Sequence, residues 1–209
     1  MPSNPREPSR RVGWLGLAAL VLVAVGTLAF ADRATLTRST IHLALVEYAL
    51  ALWLMVRLKA EDWRVVTPRG QLVRWLWTWA CVTFLVHVGC AFHITHHWSH
   101  AHAFEQTRVE SGFGEGLYVN YLFMALWTAD VLWWWIAPEN YALRTSWIDR
   151  VFHVFLLFIA FNATVVFERG AVRYAGAIAS LILVMRWFQR SDHQRITRSD
   201  DDRPADPRA

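Results

Sequence analysis

The chain has 209 residues, 55% of them hydrophobic and 18% charged, with a net charge of +4 and a mean hydropathy of +0.23. Ordinary globular domains hold about 25% charged residues, so this composition excludes a disordered chain, a coiled coil and a small disulfide-stapled scaffold. No nucleic-acid partner is expected either, because the cations fall between apolar runs and not along one polar face.

Six apolar runs follow one another: Val12–Ala31, Thr40–Val56, Leu72–Ile94, Gly116–Ile136, Trp147–Phe167 and Ala171–Trp187. Each approaches the length of about 20 residues that spans a bilayer, and inside lipid each must be helical to satisfy its own backbone. The expected fold is therefore all-α, a polytopic integral membrane helical bundle of about six transmembrane helices. The first run has Arg10 and Arg11 before it and Ala29-Phe30-Ala31 at its end, so it also resembles a signal peptide. Cleavage there would leave five spans. Residues 1–11 and 190–209, rich in Pro, Ser, Asp and Arg, read as disordered tails around a bundle over 12–189.

Counting Lys and Arg with the amino terminus inside gives 16 on the inner side against 5 on the outer, which places both termini in the cytoplasm of what is expected to be a bacterial inner membrane. Trp14, Trp53, Trp75, Trp77, Trp79, Trp133, Trp134, Trp135, Trp147 and Trp187 lie near the inner ends of the runs and read as a headgroup-level belt. The two cysteines, Cys81 and Cys90, share one run about 13.5 Å apart along a helix, too far for a disulfide.

Five of the nine histidines fall between His93 and His102. Neither Gly nor Pro interrupts the chain from there to Gly112, so the third helix is expected to continue beyond the membrane into an outer loop over residues 93–115. On such a rod His93, His96, His97 and His100 share an arc of about 100°, Cys90 lies beside it and His102 points away. Neutral imidazoles at i, i+3 and i+4 are a recurrent metal pair. His93, His97 and His100 are the expected ligands, with His96, His87 and Glu47 completing the set or orienting it.

Glu47 and His87 are expected at matching depth, with His42 nearby. Glu105, Tyr118, Asn120, Tyr121 and Asn162 are candidates for the polar lining, while Asp130 and His153 form a deep pair, either a clamp between helices or a proton relay.

His93-Ile-Thr-His96-His97 resembles the His-x-x-His-His box of membrane di-iron desaturases and hydroxylases. The match covers five residues, and that family uses several boxes on the cytoplasmic side, so its activity is not carried over. The function expected from the residues is an outward-facing histidine site for Zn, Fe or Cu, with enzyme status left open. Two alternatives stand beside it. One is a b-type haem electron-transfer subunit, with His42 and His87 or His93 as axial ligands. The other is a non-catalytic subunit or proton-coupled carrier. The expected partners are the bilayer and a homo-oligomer or membrane complex.

Overall fold

The computed structural model describes residues 33–166, 170 and 173–186, and all of the secondary structure among them is helical. The first apolar run and both tails lie outside these residues, as do Trp14 and Trp187. The chain divides into two units, one through Ala160 and one from Phe161 onward.

In the first unit, α1 (Arg33–Met55) begins seven residues before the apolar run that announced it. Apolarity marks the depth in lipid, whereas the helix continues through Thr35, Thr37 and Arg38 because nothing there breaks it. A short turn, α2 (Ala60–Trp63), leads to α3 (Pro68–Cys90). Pro68 occupies the first helical position and Thr67 caps it, its hydroxyl accepting from the Gly70 amide at 3.0 Å. Thr67 also donates to Asp62 Oδ1 at 2.5 Å, while the Lys59 amide donates to Asp62 Oδ2 at 2.9 Å.

α1 packs along α3 with Thr40, Ala44, Tyr48, Ala51 and Met55 buried on one side and Val73, Trp77, Ala80 and Thr83 on the other. The alanines let the two backbones approach, as small residues do between membrane helices.

After α3, residues Ala91–Thr95 form a π-helical turn. The expected continuous rod ends there: His97 and Trp98 take left-handed φ of 49° and 60°. Ser99 then caps a separate helix, α4 (His100–Ser111), which closes on Gly112 at φ 76°. Residues His100–Ser111 thus form a separate helix and not an extension of α3.

α5 (Gly116–Ile136) has the boundaries expected from sequence. Pro138 starts the short α6 (Pro138–Ala142), and α7 (Ser146–Phe161) follows. In the second unit a π-helical turn, Asn162–Val166, precedes helix α8 over residues 173–186. A Cβ at Gly176 would overlap the Thr164 side chain, so this is where the second unit packs most closely.

Two helical stretches are long and apolar enough to cross a membrane, Pro68–Thr95 and Trp147–Val165. α5 has the length, but its four Trp, two Tyr, Asn120 and Asp130 lower its mean hydropathy.

Candidate functional site

Two polar clusters form in the first unit, one at each end of α3. At the carboxyl-terminal end the left-handed pair His97-Trp98 turns the chain back upon itself. The Trp98 amide donates to the Phe92 carbonyl at 2.9 Å, and the Ser99 amide to the His96 carbonyl at 2.8 Å. The Ser99 hydroxyl then accepts from the His102 amide at 3.2 Å, fixing the first turn of α4.

This fold-back brings His102 to His96, with Nδ1 atoms 3.3 Å apart and ring centroids at 5.4 Å. His102 was expected to face away; the chain reversal at residues 97–99 inverts that. The other imidazoles separate. His93 accepts from Trp98 Nε1 at 3.3 Å, and His100 meets the Tyr121 hydroxyl at 3.0 Å and stacks on its ring. His97 is exposed.

Tyr118 lies 5.8 Å from His100, ring to ring. Glu105 is engaged by Arg108 at 2.6 and 2.9 Å, and that guanidinium holds its carboxyl below the usual range. Asn120 is exposed and Cys90 is a free, half-buried thiol. Among the described residues no set of three or more His, Cys, Asp or Glu side chains gathers as a metal centre. His93, His97 and His100 therefore do not converge as expected.

Burial of His96 lowers its imidazole pKa, as do the neighbouring His102 and His97, against the opposing pull of Glu110. It is neutral, and ready to donate a lone pair, at pH values where a free histidine is partly charged.

The expected Glu47–His87 partnership is replaced by two separate contacts. His87 Nδ1 donates to the Thr37 carbonyl at 3.0 Å and lies 3.4 Å from the Thr40 hydroxyl. Glu47 faces Thr83, one turn of α3 lower, with its Oε2 enclosed and without a hydrogen bond. His42 is half-buried on α1. In the second unit, Asn162 is half-buried and opens the π-helical turn.

Toward the amino-terminal end of α3, Asp130 is 6% exposed and its carboxylate takes three donors: Trp77 Nε1 at 2.9 Å, the Tyr141 hydroxyl at 2.9 Å and the Arg144 guanidinium at 2.7 Å. Arg144 also reaches Asp149. Burial first, and then the adjacent Asp130 carboxylate, push the Tyr141 phenol well above its ordinary pKa, so it stays a donor.

His153 was expected on Asp130. It instead stacks on Trp77 at 5.9 Å and places its Nδ1 2.9 Å from the Asp149 carbonyl. A permanently charged, forked guanidinium is the better counter-ion for a buried carboxylate.

Two of the expected belt tryptophans are fully buried as a result: Trp77 serves Asp130, and Trp134 donates to the Trp63 carbonyl at 2.9 Å. Arg144, Tyr141 and Asp149 were missed as site residues. The signal for them was Asp130 itself, a buried carboxylate that demanded a nearby cation.

Comparison with protein-family models, curated proteins and solved structures finds no match.

Proposed function

We propose that this chain is a polytopic membrane protein of the bacterial cytoplasmic membrane, both termini inside, whose outer face binds a transition-metal ion through His96 and His102. The membrane reading is supported by how little the apolar stretches are covered: in each of the two candidate spans only 22% of the apolar window is buried. A core helix of a water-soluble protein would be mostly enclosed. Along α7 the exposed residues Trp147, Val151, Val154 and Phe158 recur at helical spacing and form an apolar ridge suited to lipid.

The metal reading rests on one distance. Two nitrogens at tetrahedral positions around Zn, each about 2.0–2.1 Å from the ion, lie about 3.3–3.4 Å apart. The 3.3 Å between His96 Nδ1 and His102 Nδ1 already matches that separation. Nitrogen donors of this kind suit Zn, Fe or Cu(II), and two protein ligands leave positions open to water or to a substrate.

Zinc titration of the full chain purified in detergent, followed by elemental analysis, tests the site. The wild type is expected to retain one equivalent of zinc, and His96→Ala and His102→Ala are each expected to weaken it at least tenfold. His93→Ala and His100→Ala are expected to change little. Both imidazoles must be neutral to bind, so zinc is expected to be released as pH falls through the ordinary histidine range of about 6.5. Unchanged zinc in the His96→Ala/His102→Ala double variant rejects the reading. An intense Soret band in the same preparation would instead favour haem. Thiol labelling of a cysteine placed at Ser111 in intact cells, with one at Lys59 labelled only after permeabilisation, checks the orientation.

A further inference from the structure

Gln71, Arg74, Trp75 and Thr78 lie on one side of the first turns of α3, at helical spacings of three and four. Trp135 of α5 lies over them: Arg74 rests on its ring with the guanidinium carbon 3.8 Å from the centroid, and Trp75 meets its edge at 4.9 Å. Trp79 extends the same wall, stacked 6.5 Å from Trp75. Thr78 accepts from Trp135 Nε1 at 2.8 Å, which fixes the indole that roofs the cation.

The hydrogen-bonding inventory of this cluster is unbalanced. Arg74 has no carboxylate partner among the described residues; its contacts are a long 3.5 Å bond to the Trp134 carbonyl and the Trp135 ring. Its Nε and the Trp79 Nε1 are both buried donors without an acceptor. A half-buried guanidinium among indoles, with two idle N–H groups and no acid, has the chemistry of an anion site.

The surroundings select the anion. The site lies at the inner end of an apolar stretch, and Lys59, Arg64 and Arg69 precede it in the sequence. Its walls are indoles, which favour the headgroup level of a bilayer. Basic pockets between helices at this level take anionic lipid headgroups.

We propose that Arg74 and the Trp75–Trp79–Trp135 wall bind the phosphate of an anionic phospholipid of the cytoplasmic leaflet, with its acyl chains against the exposed apolar helix faces. This goes beyond the metal reading and rests only on the membrane part of it.

The full chain, purified in detergent and passed into nanodiscs, is offered phosphatidylglycerol or phosphatidylcholine, and bound lipid is counted by native mass spectrometry. The wild type is expected to prefer phosphatidylglycerol at least tenfold, and Arg74→Gln to lose that preference. Arg57→Gln, whose cation lies on Trp53 instead, is expected to keep it. Arg74→Lys, which keeps the charge without the fork, is expected to fall between them. Excess inorganic phosphate should not displace the lipid; displacement would make the site one for a free anion and overturn the lipid assignment. Equal preference in wild type and Arg74→Gln overturns the site itself.

If Arg74→Gln does not fold, the wild type alone decides: phosphatidylglycerol raises its Tm above that in phosphatidylcholine if the site is occupied, and an identical Tm overturns the proposal. A chain found in the soluble fraction would sink the membrane reading as well, whereas an embedded chain without lipid preference sinks only this site.

Discussion

Asp130 is a buried carboxylate held by three donors toward the amino-terminal end of α3. Its three donors come from three elements: Trp77 on α3, Tyr141 on α6 and Arg144 just beyond it. Both ions are buried, at 5% and 6% side-chain exposure, so removing one strands the other away from water. Asp130→Asn is expected to lower unfolding stability by about 3–5 kcal/mol, the usual cost of breaking a buried pair. Arg144→Met should cost a similar amount, and the double variant less than the sum. Denaturation in mixed detergent micelles checks this; strictly additive losses would show that the pair does not act as a unit. The need for a partner was legible in the sequence, since a carboxylate inside an apolar run demands one. The choice of Arg144 over His153 was not, because it depends on how the chain turns at Pro138. Likewise, Trp98 is not a residue that ordinarily takes left-handed backbone, and His97, though of a type enriched there, does not by itself announce a turn, so the reversal that pairs His96 with His102 was not legible in the sequence.

At the level of elements, the apolar pattern located α3, α5 and α7 well because each is bounded by residues that stop or start helices. α5 is framed by Gly112 and Gly114 before it and Pro138 after it, and its limits agree residue for residue. α1 lacked such a signal at its start, and its polar first turns extended it beyond the apolar run. The entry to α3 is a compact hydrogen-bonded turn. Burial raises the Asp62 pKa, but the Thr67 hydroxyl, the Lys59 amide and the charges of Arg69 and Lys59 outweigh it, and the net shift is downward. A carboxyl lowered in the folded state contributes stability above its unfolded pKa of about 3.9, and that contribution is lost as pH falls through the lowered value. Thr67→Ala removes the helix cap and one of these donors together, and is expected to cost about 1–2 kcal/mol at neutral pH. The variant should also lose less stability than the wild type on acidification below about pH 4. Thermal midpoints at both pH values decide this; equal acid sensitivity would show that Thr67 does not tune Asp62.

For the molecule as a whole, the two ends of α3 are chemically opposite. The carboxyl-terminal end gathers imidazoles and phenols around a chain reversal, and the amino-terminal end gathers indoles and guanidinium groups. Of the tryptophans expected at the headgroup level, Trp77 and Trp134 are committed to internal hydrogen bonds instead. On the proposed membrane reading, the tie between Asp130 and Arg144 also bears on how the chain is integrated during synthesis. Asp130 alone makes α5 a poor candidate for entry into hydrocarbon, by about 2.5–3.5 kcal/mol at the centre of a span. Its counter-ion emerges only 14 residues later. If α5 enters the bilayer as proposed, the translocon is expected to hold it until the following turn has left the ribosome, and to admit both as a hairpin. Nascent chains arrested after residue 142 should integrate α5 less completely than chains arrested after residue 150 that carry the same reporter. Equal integration at the two lengths would show that the carboxylate enters without its cation.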